Sequence, residues 1–517
     1  MADPVLPAGS AHPADTSSLL VIGAGLAGTE AAWQIAQAGL LVTSQNVAGA
    51  SVEGYSRRDA TTVINRLAPS GAGVYGTGFS VEGFTRDYSR LLENQRLTQQ
   101  GKTTYYETLV ESTELLDKVI ADDSNSLAIA ISEFFDAAGQ MVGAPESIAY
   151  RSNLTHKADL VAQRVVGLAE TVNQVDKDAR NALKTTLERV NTLTGQLALL
   201  NGKLKEGRNI SNIEPSADYL DERDRVLMEL QRLVGGQALI NSDSTASHYL
   251  NGIPIVEGAV ANQFLLSSIA GDMDNIRVQF TTYRTLTEPA IGPRDLHATT
   301  RSIATDFISG GEAGAFVKLI RDFVPDVSRR IDAVAIGLLK TVNSVSPNPI
   351  FGFKTESGKI VSNPTNDEFV QSIPTVRANS DIYAIRDQLN PKASNHTPAL
   401  SFLRSGNFIS VAPQDASDYL IESDQVYRLE GLRSIFSDPV ADVVSTVGNT
   451  IATWVNDNKA NQSVMQVLND RRESISGVNL DEEAANMVKF QQLYAASSKI
   501  IQTGNQIFET LLAMISR

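Results

Sequence analysis

The residues best placed to do chemistry in this 517-residue chain lie near its start. Leu19 to Gly39 reads as a small apolar run, then Gly23-x-Gly25-x-x-Gly28, then a helical pattern. In a dinucleotide-binding unit such glycines allow a tight turn, close approach of a pyrophosphate and close helix packing, and an acid about twenty residues on holds the ribose hydroxyl. The chemistry would be that of a flavin- or NAD-dependent enzyme bound through Gly23, Gly25 and Gly28. The rest of the motif is missing. Ser44, Gln45 and Asn46 stand where the acid should be, and the NVAGASVEGYSRR that follows is a polar, glycine-bearing turn region rather than a second strand. A dinucleotide site needs a sheet, so no cofactor and no catalytic residue are assigned here.

Other sources of chemistry are weaker. The histidines, His12, His156, His248, His297 and His396, are scattered without metal-ligand spacing and read as surface or turn residues. No nucleophile elbow, Walker loop or calcium-loop pattern occurs. Asp221, Glu222, Asp224 and Glu229 alternate with Arg223, Arg225 and Arg232 at three- and four-residue spacing, the pattern of a solvated helix face. Cysteine is absent, which removes thiolate metal sites, disulfides and cysteine nucleophiles together and suits an exported chain. A net charge of −15 with no Lys/Arg run excludes the electrostatic footprint of a nucleic-acid or anionic-membrane binder. Leu19 to Val42 is apolar-rich, but Thr29, Glu30, Gln34 and Gln37 interrupt it, so no membrane span is expected; nor is a secretory signal of the usual form evident.

The elements that must position these residues are mostly helices. From Leu480, alternating steps of four and three give Ala484, Met487, Gln491, Tyr494, Ser498, Ile501, Asn505, Phe508, Leu512 and Ile515, a heptad seam of about five repeats. Asn479 can cap its first turn, and Asp481, Glu482 and Glu483 follow where the helix dipole favours anions. Polar Gln491, Ser498 and Asn505 specify register, so this helix requires a particular partner. Leu26, Thr29, Trp33, Ala36, Leu40, Thr43 and Val47 fall on a similar seam, which gives the glycine segment a second reading as a helix packed on a helix.

Between these ends, Val63 to Val81 reads as a hairpin and Tyr88 to Ile120 as helix. Lys157 to Glu206 is a long heptad stretch whose seam shifts by a stutter through Ala182, Thr186 and Val190, and about fifty helical residues would reach about 75 Å. Ala217 to Val234 is a charged amphipathic helix ended by Gly235 and Gly236. Gln237 to Thr287 alternates like a β domain. Gly314 to Val342 is helical with a break at Pro325, and helix resumes at Val440, past Pro439, with a turn over Asp470 to Val478. The expected fold class is α+β, elongated and multidomain, with N- and C-terminal helices forming a coiled-coil rod domain and β-rich domains inserted in the middle. The expected divisions are an atypical N-terminal segment over 1–43 and an N-terminal helical rod domain over 44–235. A β-rich domain over 236–300, a helical segment over 301–345, a second, irregular β-containing domain over 346–438 and a C-terminal helical rod domain over 439–517 follow.

TSQNVAGASVEGYSRR resembles the N-terminal Asn-Ile-Ala-Asn-x-x-x-x-Gly-Tyr-Ser-Arg element of the flagellar rod, hook and hook-associated proteins, with Asn46, Val47, Ala48, Gly54, Tyr55, Ser56 and Arg57 in the matching places. Gly49 stands where that family has Asn, and Val52-Glu53 replace Thr-Pro. ISGVNLDEE with the helix after it resembles the family's C-terminal helix, and YLDERDRVLMELQRLVG and Ile308 to Asn343 are also similar. Residues 20–39 instead resemble the flavin-binding start of the folate-dependent tRNA uracil methyltransferase flavoproteins.

The flagellar resemblance implies a non-enzymatic structural subunit, secreted by the flagellar type III apparatus to the hook-filament junction. It implies assembly with itself in a ring of about eleven copies, and with the hook protein, a second junction protein and an export chaperone. Its assembly residues would be Asn46, Gly54, Tyr55 and Arg57 with Leu480, Met487, Tyr494, Ile501, Asn505, Phe508, Leu512 and Ile515. A flavin- or NAD-dependent enzyme and a non-flagellar coiled-coil adhesin are the alternatives.

Overall fold

In the computed structural model of the chain, the first element is a helix, α1 (Thr16–Gly49). The structure describes residues 16–515 apart from 53, 65–67, 71–72, 76–78, 122–125, 212–216, 270–271, 286–295, 304–306, 347–348, 355–359, 362–407 and 411–422. The glycine motif lies inside α1: residues 19–22 form no strand, and Gly23, Gly25 and Gly28 continue the helix. This corrects the dinucleotide reading in favour of a helix packed on a helix. Each glycine costs about 1 kcal/mol against alanine there, so pairing rather than propensity must hold this end.

After α1 the chain forms an antiparallel hairpin of β1 (Arg58–Ile64) and β4 (Phe79–Arg86), with Arg58 opposite Arg86 and a bulge between Thr61 and Thr62. β2 (Ala68–Ser70) and β3 (Gly73–Tyr75) pair within the connection. Four helices follow: α2 (Arg90–Ile120), α3 (Leu127–Val142), α4 (Ile148–Ser211) and α5 (Ala217–Val234). α4 has 64 residues, a span of about 96 Å at 1.5 Å per residue. Val161, Val165, Leu168, Val172, Val175, Ala179, Leu193, Leu197, Leu200 and Leu204 are all buried along it. Between Ala179 and Val190 the buried positions are Leu183, Thr186 and Leu187, so Thr186 and Val190 hold their expected places in the stutter while Leu183 takes that of the half-buried Ala182. α3, not anticipated from the sequence, buries Phe134, Phe135 and Met141.

The middle of the chain carries the sheets. β5 (Gln237–Ile240), β6 (Ala246–Leu250), β7 (Ile253–Glu257) and β8 (Val260–Ala261) form an antiparallel sheet in chain order. β9 (Gln263–Ile269), β10 (Asp272–Thr285) and β11 (Leu296–Ile303) form a second, with β10 central. α6 (Gly311–Lys318), α7 (Val324–Gly337) and α8 (Asn343–Val345) are joined by π-helical turns at Leu319–Phe323 and Leu338–Val342. Pro325 sits at the start of α7 just after the first of these turns; it widens the ladder rather than ending it.

β12 (Phe351–Lys354), β13 (Ile360–Val361) and β14 (Phe408–Ser410) make a third sheet. Most of the expected second β-containing region, His396 included, lies outside the described residues, as does His12. The chain closes with α9 (Ser423–Gly431), α10 (Arg433–Ser476) and α11 (Leu480–Ile515). Here Pro439 lies within α10, where its missing N–H forfeits a ladder bond, and the turn before the last helix is Gly477 to Asn479 rather than Asp470 to Val478.

One continuous apolar core joins α2 through α10, from Leu97 to Trp454. Phe134 packs on Phe351 with ring centroids 5.6 Å apart, Phe135 on Phe436 at 5.8 Å and Phe323 on Trp454 at 4.9 Å. Among the described residues, α1, β1, β4 and α11 contribute nothing to it.

Candidate assembly interface

α1 and α11 pack against each other and run antiparallel: Gly39 meets Phe490, and Trp33 meets Tyr494 with ring centroids 5.7 Å apart. A Cβ on Gly39 would lie 2.5 Å from the Phe490 ring, so the absence of a side chain is what lets the helices close. The start of α11 is capped by Asn479, whose Oδ1 accepts from the N–H of Asp481 at 3.0 Å.

The inward positions of α11 are Glu483, Phe490, Ser497 and Gly504, with Met487 and Ile501 half-buried between them. The expected seam is therefore displaced by one residue at three of its positions: Ala484, Gln491 and Asn505 are exposed, while Ser498 stays half-buried beside Ser497. Phe490 takes the seam from its polar neighbour Gln491 because an apolar ring gains by burial and Gly39 leaves it room. On α1 the inward residues are Ala36, Gly39, Val42, Thr43, Asn46 and Gly49, so Ala36 and Thr43 hold their expected places while Val47 is exposed. Leu480 is exposed, as are Phe508 (48%) and Leu512 (52%) towards the end of α11; the side chain of Ile515 lies outside the described residues.

Where α1 ends, Asn46 is 1% exposed and makes three bonds. Its Oδ1 accepts from the Arg58 N–H at 3.0 Å and from the Tyr55 hydroxyl at 2.9 Å, and its Nδ2 donates to the Arg58 carbonyl at 3.0 Å. Gly54 closes the intervening turn with φ +85°, and Tyr55 lies over Gly49, where a Cβ would come within 2.5 Å of its ring. Burial pushes the Tyr55 phenol up to about 12, so it stays a donor at neutral pH. Arg57 Nε donates to Glu483 Oε1 at 2.9 Å, which raises the Arg57 pKa, and the Arg57 N–H donates to the Ser476 carbonyl at 2.9 Å. Arg472 Nη2 donates to the Tyr55 carbonyl at 2.8 Å. The motif residues Asn46, Gly54, Tyr55 and Arg57 thus come together, at an elbow where the end of α1 meets the turn between α10 and α11.

Sequence reasoning missed the charge network beside this elbow. Arg58 Nη2 bonds Asp218 and Asp221 at 2.7 Å each, Arg86 Nη1 bonds the other oxygen of Asp221, and Arg86 Nη2 bonds Asp224 at 2.9 Å. Arg223 Nη2 holds Asp224 at 2.6 Å while its Nη1 donates to the Ser244 carbonyl at 2.6 Å. Burial works against the Arg58 charge, but its hydrogen bonds to the carboxylates of Asp221 and Asp218 overcome it and raise its pKa. So Asp221, Arg223 and Asp224 are not the solvated face their spacing implied: Arg223 is 2% exposed and both aspartates are largely covered. The missing signal was the arginine pair, because Arg58 and Arg86 become cross-strand neighbours only once β1 and β4 are paired.

Nothing in this geometry resembles a catalytic constellation. Among the described residues no group of three or more His, Asp or Glu could hold a metal ion, and no helix is long and apolar enough to cross a membrane. A flavin or dinucleotide does not fit α1, since a continuous helix offers neither the strand nor the N-terminal amide turn that such a group requires.

Comparison with known families matches three parts of the chain. The family described as the flagellar hook-associated protein FlgK helical domain matches residues 113–349, and the flagellar basal body rod FlgEFG protein C-terminal family matches 472–514. The glucose inhibited division protein A family matches residues 18–49, the segment that is α1 here. Flagellar hook-associated protein 1 of Escherichia coli K12 is 23% identical over 542 residues, covering 92% of this chain and 97% of that one. The protein of the same name from Bacillus subtilis 168 is 22% identical, covering 92% and 95%. Among solved structures, the flagellar hook junction protein FlgK from Burkholderia pseudomallei aligns with TM-score 0.42 at 18% identity, over 51% of this chain and 47% of that one.

Proposed function

Because the chain belongs to the flagellar hook-associated protein 1 family, we propose that it is a structural subunit of the bacterial flagellum, seated at the junction between hook and filament and required for filament assembly. The observation that carries the assembly reading is the end of α11. Ile507, Phe508, Leu511, Leu512 and Met514 are between 37% and 69% exposed, an apolar surface among the described residues that an assembled neighbour would bury. α1 and α11 would form the inner coiled-coil part of an elongated, multidomain subunit, with the rod domains of 44–235 and 439–517 carrying the β-bearing insertions of 236–300 and 346–438 outward. The subunit would be exported through the flagellar type III apparatus with a chaperone. It would close a ring of about eleven copies between the hook protein and a second junction protein. Its role is mechanical rather than enzymatic.

The test is complementation. Supplied to cells lacking their own junction protein, the chain should restore filaments and co-purify with hook-basal bodies. Hooks that remain bare, with the chain secreted into the medium, would reject the junction role. A stoichiometric flavin absorbance in the purified protein would reinstate the enzyme alternative.

A further inference from the structure

Apart from the α1/α11 arm, the body of the molecule, α2 to α10 with its sheets, holds the two Asn-Gly steps of the chain, Asn201-Gly202 and Asn251-Gly252. Leucine precedes both, so the sequence around the reacting groups is the same. Such a step can modify itself, because glycine has no side chain to keep its amide nitrogen away from the carboxamide carbon of the residue before it. What separates the two is where the fold places them.

Asn201 lies in α4 and is 1% exposed. Its Oδ1 accepts from the Ala246 N–H at 2.8 Å, and its Nδ2 donates to the carbonyls of Ala246 and Gly258 at 2.7 Å each. Reaction there would require the Gly202 nitrogen to leave the helix and the carboxamide to give up all three bonds. Asn251-Gly252 is instead the exposed two-residue turn between β6 and β7, closed by the pairing of Leu250 with Ile253. Both turn residues have positive φ, +43° and +82°, as a tight hairpin of this kind demands. The Gly252 N–H stands outside the closing pair, and a Cβ on Gly252 would meet nothing within 4 Å. Nothing packed on the turn therefore opposes the rotation that brings nitrogen to carbon.

We infer that Asn251 is a site of spontaneous deamidation and that the fold exempts Asn201 from the same reaction. The Gly252 nitrogen, giving its proton to hydroxide, attacks Cγ of Asn251. The N–Cγ bond forms, the Cγ–Nδ2 bond breaks, and Nδ2 leaves as ammonia to give a cyclic succinimide. Water then opens the ring, at Cγ to give aspartate or at the backbone carbonyl carbon to give isoaspartate. No enzyme, metal or oxidant is needed. Asn251 Nδ2 donates to the Phe307 carbonyl at 3.1 Å, so either product removes that donor and adds a negative charge to the turn. Isoaspartate also lengthens the backbone of a turn built for two residues, which loosens β6 from β7.

Peptide mapping of the full chain, held folded in mildly alkaline buffer and parallel in urea, tests this, with isoaspartate read by methyltransferase labelling. In the folded chain Asn251 should convert at least about tenfold faster than Asn201, since a reaction gated by local opening slows with the population of the open form. In urea the two should convert at the same rate, because the Leu-Asn-Gly sequence is shared. The converted chain, separated by its added charge, should exchange the Ile253 amide faster than the unconverted one. Equal rates at the two sites in the folded chain, or conversion of Asn251 in urea alone, would overturn the site. A difference that persists in urea would assign it to sequence and overturn the role of the fold, and unchanged exchange at Ile253 would overturn the loosening of the hairpin.

Discussion

Asn46 and Arg58 close a ring of two hydrogen bonds, the asparagine amide accepting the arginine N–H and donating to its carbonyl as a neighbouring strand would. The same ring recurs at three other places where a helix meets extended chain: Asn191 with Phe264, Asn201 with Ala246 and Asn343 with Phe351. A primary amide carries one donor and one acceptor in the spacing of a peptide group, so it can satisfy a strand residue that has no further strand beside it.

Asn46→Ala should therefore leave the N–H and C=O of Arg58 and the Tyr55 hydroxyl without their partner. A buried group so orphaned costs about 1–3 kcal/mol, which should speed exchange of the Arg58 amide about tenfold to a hundredfold. The melt of the body should move little. Unchanged protection at Arg58 would show that the elbow does not depend on the ring.

Gly39→Val tests the register of the arm. The new side chain meets the Phe490 ring, and overpacking of this kind costs about 1–3 kcal/mol. Adding Phe490→Ala should recover part of that loss, whereas Gln491→Ala should recover none. Rescue by Gln491→Ala would restore the seam read from heptad counting. Thermal melts and amide exchange of α11 provide the readout.

Phe508→Asp should barely affect the isolated chain, because the ring is about half exposed there. Its burial, worth about 1.5–3 kcal/mol, is realised on assembly, and a charge in that contact costs several more. The expected outcome is a secreted chain with a near-normal melt and no stable place at the hook tip, with filament subunits lost to the medium. Normal filaments on cells carrying this change would show that the α11 end is not the assembly surface.

His248 supplies a pH dependence. It is fully buried on β6 beside Gln231, and burial pushes its imidazole down to about 4 from an ordinary value near 6.5. Between those values the unfolded chain binds a proton that the folded chain refuses. Stability is therefore whole above about pH 6.5 and falls as pH drops, by about 3 kcal/mol at pH 4 from this group. Urea midpoints at several pH values, compared with those of His248→Gln, should show the substituted chain losing less stability on acidification. Parallel pH profiles would remove His248 from the account.

Periodicity revealed what depends on periodicity. The stutter of α4 was legible because Val175, Ala179, Val190 and Leu193 occupy its seam whatever surrounds them. α11 was legible as a paired helix, but its register was not, since heptad counting cannot know that Gly39 stands opposite Phe490. The glycine motif misled for the opposite reason: Gly23, Gly25 and Gly28 suit a tight turn locally, yet residues 19–22 form helix instead of the strand that would lead into it, and the helix partner of α1 is far away in sequence. The ion pairs of Asp221 were invisible because acids and arginines at helical spacing look solvated until a hairpin brings two more arginines to them.

Arg57 and Glu483 are 426 residues apart in the chain, which bears on how the molecule comes into being. α1 leaves the ribosome first and has no companion until residues 480–515 have emerged too. Closing so long a loop is slow compared with the local helical contacts of α2 to α5, so the body should be formed before the arm zips. The arm is then the last part of the subunit to fold, and a chain held short of completion presents a finished body with two single helices still free.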